Sequence, residues 1–229
     1  MLQRLLTTAL LAGLGAGLLF FLVQTALVTP LIRQAETLER QAAAETVNSL
    51  ATPGHGHDAA HGEAAGETAR QLMTLGGDLA TGVGFALLLC AAITLRGRQV
   101  SPVTGLVWGM AGFAVFAGLP ALGTPPLAPG AEGAPVAARQ LWWLMTAGCS
   151  AAGLALLAFA PGRALRLAGA VFLLLPHLAG APAAPVVTEP LIPASLATLF
   201  TAASLAAAAV FWAALGAFCG FLLRRRTVF

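Results

Sequence analysis

The chain contains six uninterrupted apolar runs, most of which reach the length of about 20 residues that a helix needs to cross a bilayer. Runs of this kind argue against a water-soluble fold, because soluble helices alternate apolar and polar positions. The runs cover residues 5–28, 72–95, 102–122, 140–160, 164–181 and 195–223. We therefore predict an all-α polytopic membrane protein with a bundle of about six transmembrane helices, forming a single membrane domain over residues 1–229.

The composition agrees with lipid as the solvent. Hydrophobic residues make up 58% of the chain and charged residues only 9%, whereas about a quarter of the residues in soluble domains are charged. The net charge of +3 comes from arginines dispersed at the ends of the apolar runs, without a basic face. We therefore expect the lipid bilayer as a partner and no binding of nucleic acid.

The sequence contains no lysine. A Walker A loop needs its lysine at the phosphates, and a Schiff-base enzyme needs a lysine amine, so both classes are excluded. A membrane metalloenzyme is disfavoured because a catalytic metal needs about three rigidly held ligands. We expect a protein that is not an enzyme and that carries no cofactor.

The fifth run, 164–181, is the shortest and is interrupted by Pro176. A re-entrant segment is therefore the alternative for this run, and it would leave five spans. The positive-inside rule favours six spans, which place both termini in the cytoplasm. The cytoplasmic arginines are then Arg4, Arg96, Arg98, Arg163, Arg166, Arg224, Arg225 and Arg226, and the outer ones are Arg33, Arg40, Arg70 and Arg139.

Residues 31–71 form the extended polar region, predicted to be an extramembrane, periplasmic loop. A helical extension over 31–50 is followed by a flexible Pro/Gly/His tract. In the part of this tract covering 54–67, "HGHDAAH" contains His55, His57, Asp58 and His61. Imidazole and carboxylate groups bind cobalt, nickel, copper and zinc, so we predict transient capture of a divalent transition metal here. An incidental solvated linker is the alternative.

Ionisable groups inside a membrane are costly and therefore suggest function. The predicted topology places Asp78, Arg139 and His177 near the outer surface, together with Gln24 and Glu36. We predict that Asp78 and His177 are metal ligands in a polar outer mouth below the histidine tract. The alternatives are a structural ion pair between Asp78 and Arg139, and a packing role for His177 at a helix end disrupted by proline.

Pairs of glycines recur at the spacing that lets transmembrane helices approach closely. The pairs are Gly13 with Gly17, Gly105 with Gly109, and Gly216 with Gly220. We interpret them as packing contacts between helices of the same chain rather than as a dimerisation signal.

Several stretches together give the chain a family resemblance. They are "MLQRLLTTALLAGLGAGL", "VTPLI" followed by Glu36, the histidine tract, "TGVGFALLL", "GLVWGMAGFAVF", "PALGTPP", "AARQLWWL", "LLPHLAGAP" and "FWAALGAFCGFLLRRR". In their order and spacing the chain resembles the CbtA family of predicted cobalt transporter subunits. The resemblance implies a permease component of the bacterial inner membrane with about five spans, paired with a small single-span, histidine-bearing subunit.

The function predicted from the sequence is uptake of cobalt, or of a similar divalent metal such as nickel, as one subunit of a permease. The alternative is a membrane scaffold or assembly factor that holds metal for a partner without transporting it.

Overall fold

The computed structural model describes residues 2–50, 60–97, 100–186 and 188–224, without the side chains of residues 47–50 and 60–65. The described residues form seven helices and no strands, which confirms the predicted all-α class. The helices are α1 (Leu2–Leu27), α2 (Thr29–Leu50), α3 (Ala60–Leu95), α4 (Pro102–Ala121), α5 (Val136–Phe159), α6 (Arg163–Ala179) and α7 (Ala194–Arg224). Helix α4 includes a π-helical turn over Ala114–Gly118.

Five helical stretches of the described chain are long and apolar enough to cross a membrane. They are α1, Gly66–Leu95 of α3, α4, α5 and α7. The sequence predicted about six, with the run at 164–181 in doubt. That run folds as α6, whose 17 residues extend about 25 Å at the helical rise per residue. Helix α6 is therefore not among the five candidates, although the chain is a polytopic membrane protein on either count.

Helices α1 and α7 run antiparallel in the bundle. Phe20 lies against Phe211, with 5.0 Å between ring centroids, while Gly15, earlier in α1, lies beside Phe218, later in α7. The start of α1 and the end of α7 are therefore at the same end of the bundle, which we call the terminal end. The opposite end, where α1 passes into α2, is the stalk end.

Helix α6 runs alongside α5 in the opposite direction. Gly153 of α5 packs against Gly169 of α6, and the ring of Trp142, near the start of α5, lies 5.8 Å from the ring of His177, near the end of α6. The chain therefore returns to the stalk end through α6 before α7 begins. This reversal is why both described termini lie at one end, although only five of the described helices are both long and apolar enough to cross a membrane.

Close backbone contacts between glycines hold α4 against α7. A β-carbon added at Gly105 would lie 2.2 Å from the carbonyl oxygen of Gly216, and one added at Gly109 would lie 2.1 Å from that of Trp212. Neither position has room for a side chain, so van der Waals contact between backbones stabilises this helix pair. The predicted packing of Gly105, Gly109, Gly216 and Gly220 within one chain is confirmed.

Ion pairs between side chains join helix α2 to residues 60–71 of α3, and we call these two segments the stalk. The predicted helical extension over 31–50 is confirmed. The flexible tract was predicted to continue to residue 67, but α3 already begins at Ala60. The reason is that this stretch is rich in alanine and glutamate, which favour helix, and Glu67 is fixed by ion pairs to both helices of the stalk.

Candidate functional site

A network of ion pairs joins the two helices of the stalk. Glu67 of α3 accepts a hydrogen bond of 2.7 Å from Arg33 of α2, and Arg70 of α3 donates to Glu36 of α2 at 2.5 Å and to Glu67 at 2.8 Å. The spacing of three residues places 33 and 36 on one face of α2, and 67 and 70 on one face of α3. Two carboxylates and two guanidinium groups thus meet between α2 and α3.

A small cavity of about 110 Å³ lies beneath this network, between α1, α2 and α3. Its polar walls come from Gln24, Thr25, Thr29, Glu67, Arg70, Gln71 and Thr74. The amide of Gln71 donates to Glu67 at 3.2 Å, and the hydroxyl of Thr29 donates to the carbonyl of Gln24 at 3.3 Å where α1 ends. Polar groups therefore face this cavity together with the apolar side chains of Phe21, Val28 and Ile32.

Asp78 lies on α3 below the cavity and is 9% exposed. The amide nitrogen of Gln24, which also lines the cavity, donates to both carboxylate oxygens at 3.1 Å. The backbone of Asp78 lies against Gly17, where an added β-carbon would be 2.6 Å from the Asp78 carbonyl oxygen. The closeness of α1 and α3 at this point fixes the carboxylate beside Gln24.

The ion pair between Asp78 and Arg139 that we weighed from the sequence is not formed. In the part of the chain that the structure describes, no arginine lies within ion-pair distance of Asp78. Arg139 belongs to α5, where its guanidinium lies near Gly133, because α5 packs with α6 and α4 rather than with α3. The carboxylate of Asp78 is therefore held by a neutral amide.

His177 lies in a separate part of the stalk end, in the last turn of α6. Its ring is edge-on to Trp142, whose indole donates to the carbonyl of Pro120 at 3.2 Å. The Nε2 atom of His177 is buried and has no hydrogen-bond partner among the described residues. The outer mouth predicted from the sequence is thus two sites, one around Gln24 and Asp78 and one around His177.

The predicted ligands of the histidine tract are mostly outside the described residues. His55, His57 and Asp58 lie there, and His61 is placed on the first turns of α3 without its side chain. Within the described ranges no three histidine, cysteine or acidic side chains are grouped as a metal site. Metal binding by the tract, by Asp78 and by His177 stays a prediction.

Aromatic rings close the middle of the bundle on the terminal side of Asp78. The rings of Phe116 and Trp212 stack with centroids 5.5 Å apart, and Phe85 lies 4.7 Å from Trp212. Phe85 is about two helical turns from Asp78 along α3. A polar pocket at the stalk end is thus separated from the terminal end by a layer of aromatic side chains.

The π-helical turn of α4 shapes this aromatic layer. Pro120 has no N–H to donate to the carbonyl four residues before it, which is that of Phe116. The indole of Trp143 donates to this carbonyl at 3.0 Å instead. The ring of Phe116 is thereby fixed between α5 and Trp212.

A family model described as "Probable cobalt transporter subunit (CbtA)" matches residues 2–224, nearly the whole chain. The chain belongs to the CbtA family. Neither the curated proteins nor the solved structures contain a match. The family description and the apolar helices together support a multi-pass membrane protein that is a subunit of a cobalt transporter, with a further subunit as its partner.

The ion-pair network of the stalk was missed by the sequence reasoning, which interpreted Arg33 and Arg70 as topology signals alone. The sequence does contain a sign of this network. Glu36 follows Arg33 by three positions on α2, and Glu67 precedes Arg70 by three positions on α3, so each helix carries an acid and an arginine on one face. What the sequence lacks is the register between α2 and α3, which are separated by residues 51–59.

Proposed function

We propose that this CbtA-family chain is the membrane subunit of a permease for uptake of cobalt or a similar divalent metal such as nickel, and that the metal is admitted at the stalk end. The observation that carries the proposal is the carboxylate of Asp78, which lies within a candidate span and which, among the described side chains, only the amide of Gln24 holds by hydrogen bonds. An ionised carboxylate at such a depth is costly, and a divalent cation compensates its charge.

The groups above Asp78 suit the approach of a cation. Glu36 and Glu67 lie at the surface, the partly polar cavity lies below them, and Gln24 connects the cavity to Asp78. Arginine side chains hold both glutamates, so an arriving metal ion exchanges with the guanidinium groups rather than binding permanently. Weak, successive contacts allow an ion to leave as well as to enter.

The arginines support an orientation with the stalk in the periplasm of a bacterial inner membrane and both termini in the cytoplasm. Arg96 lies in the short connection between α3 and α4, and Arg163 and Arg166 lie at or next to the short connection between α5 and α6, all at the terminal end. Arginines in short loops beside the spans favour the cytoplasmic side.

The partner that we propose is a small single-span subunit that carries histidines. Cobalt and nickel prefer imidazole over carboxylate as a selective ligand, and His177 is the single histidine of this chain whose side chain is described. Imidazoles from the tract at His55, His57 and His61 and from the partner would supply the selectivity that the carboxylates lack.

The proposal is tested by cobalt accumulation in cells that lack their own cobalt uptake and that express the chain with its small subunit. Asp78→Asn keeps the size of the side chain and removes its charge. Uptake should fall about tenfold or more at normal protein abundance, since a hydrogen bond or contact to a charged group is worth about 1.5 kcal/mol or more. Normal uptake by this variant would refute the role of Asp78.

The matched control is Glu45→Gln, which makes the same chemical change on an exposed position of α2. We expect its uptake to equal that of the unchanged protein. If both variants lose uptake equally, the effect reflects the total negative charge of the stalk end rather than a ligand at Asp78.

The aromatic layer around Phe116 and Trp212 favours a second candidate, a scaffold that holds metal without transporting it. Such a protein would bind cobalt at the stalk end, and cells expressing it with the partner would accumulate no more cobalt than cells expressing the partner alone.

A further inference from the structure

An apolar groove with a volume of about 510 Å³ opens on the side of the bundle, away from the stalk. Helices α3 and α5 form its two walls and α4 forms its floor, with residues such as Leu88, Ala111 and Ala155 facing it. Apart from the indole of Trp108 and of Trp212, its lining side chains carry no polar group. In a membrane the hydrophobic effect does not drive binding to such a groove, because lipid tails are as apolar as its lining. An apolar occupant is stabilised by van der Waals packing instead.

A second cavity of about 370 Å³ continues from this groove at the terminal end. The two cavities share Trp108, Ala158 and Phe159 in their linings. The second cavity adds Arg96 and Thr104, so its character is partly polar. Together the cavities form one slot that is apolar in the depth of the bundle and basic at its surface.

Arg96 stands at the point where the slot reaches the membrane surface, directly after Leu95, the last residue of the candidate span in α3. Its guanidinium lies over the ring of Phe159, 4.6 Å from the centroid. It forms neither an ion pair nor a side-chain hydrogen bond with any residue that the structure describes. The guanidinium is thus oriented by the ring, and its N–H donors stay available for a ligand.

A second arginine adds positive charge beside this mouth. The Nε atom of Arg166 donates to the carbonyl of Ala160 at 3.1 Å, and Ala160 follows directly after Phe159. Two guanidinium groups therefore flank the end of α5, where no acidic side chain forms an ion pair with either of them among the described residues.

We propose that this slot binds one anionic phospholipid, with its phosphate on Arg96 and an acyl chain in the groove between α3 and α5. Guanidinium groups bind phosphate through paired hydrogen bonds, and basic pockets between transmembrane helices are suited to acidic headgroups on the cytoplasmic side. This inference requires only that the chain lies in a membrane, and it does not rest on metal transport.

The charge at the mouth of the slot favours a phospholipid over a partner helix. A phospholipid brings its own negative charge to Arg96, whereas a single-span partner would need an acidic residue at the same height to compensate this arginine.

The test is lipid binding by the purified full chain, measured by native mass spectrometry and by the shift in Tm on adding phosphatidylglycerol or phosphatidylcholine. We expect one tightly retained phosphatidylglycerol and a larger Tm shift with this lipid. Arg96→Gln should weaken the preference for phosphatidylglycerol over phosphatidylcholine about fivefold, which is the effect of one basic residue near a membrane surface. Arg96→Lys keeps the positive charge and should retain part of this preference. Arg139→Gln, at the stalk end, is the matched control and should keep the full preference.

The groove itself is tested by Ala155→Phe, which places a ring in the proposed path of the acyl chain and leaves Arg96 unchanged. Weaker retention of phosphatidylglycerol by this variant supports the proposal. Equal retention of both lipids by the unchanged protein, or an undiminished preference in both Arg96→Gln and Ala155→Phe, would overturn it. So would displacement of the lipid by the small subunit together with crosslinking of that subunit to Ala155→Cys, because the groove would then belong to a protein partner.

Discussion

The two ends of this bundle are held together by different physics. At the terminal end and in the middle, backbones touch at glycines, so that Gly216 of α7 lies directly on Gly105 of α4. At the stalk end, partly exposed side chains form ion pairs between helices, as Arg70 of α3 does with Glu36 of α2. The comparison teaches that the interior is specified by steric exclusion, which tolerates no added atom at these glycines, whereas the stalk is specified by partly exposed ion pairs between side chains.

The largest expected effect comes from adding one methyl group where the backbones touch. In Gly216→Ala the new β-carbon would lie 2.3 Å from the carbonyl oxygen of Gly105, and α4 and α7 must separate to accept it. Because overpacking costs about 1–3 kcal/mol and more where backbone must move, we expect little folded protein by size-exclusion chromatography and a strongly lowered Tm.

The matched control for this change is Gly84→Ala, because nothing lies within 4 Å of a β-carbon added at Gly84. Its Tm should stay close to that of the unchanged protein. If both variants lose the same amount of folded protein, helix contact through glycine does not explain the stability of the interior.

A smaller effect is expected from exchanging charges in the stalk. Arg70→Glu places a third carboxylate beside Glu36 and Glu67 and should lower stability by about 1 kcal/mol or less, because partly exposed ion pairs contribute little. Adding Glu36→Arg should restore the pairing across α2 and α3 and raise the Tm above that of Arg70→Glu alone, although the pair of Glu36 with Arg40 is lost. A Tm no higher than that of Arg70→Glu would show that the ion pairs do not join the two helices of the stalk.

The same comparison explains what the sequence predicts well. Apolar runs and glycine spacing are local patterns. They placed the ends of the apolar helices within a few residues, except for the start of α3, and they indicated close packing at the glycine pairs without showing which helices meet there. The partner of Asp78 depends on the register between α1 and α3, which local patterns do not determine. The sequence therefore suggested Arg139 as an alternative partner, whereas the structure has Gln24. The start of α3 at Ala60 was not predicted, because the Gly and His residues of the tract favour a loop by composition. The ion pair of Glu67 with Arg33, which depends on tertiary structure, favours the helix instead.

The claim that the stalk faces the outside is tested most directly by the accessibility of single cysteines. Ala44→Cys lies on the exposed surface of α2, and Gly162→Cys lies at the terminal end between α5 and α6. Both variants are made with Cys149→Ala, which removes the partly exposed native thiol and leaves Cys90 and Cys219 buried.

A membrane-impermeant maleimide added to intact cells should label Ala44→Cys fully and should label Gly162→Cys only after lysis. Labelling of Gly162→Cys in intact cells, with Ala44→Cys protected until lysis, would invert the orientation. That result would contradict admission of cobalt from outside through the stalk end.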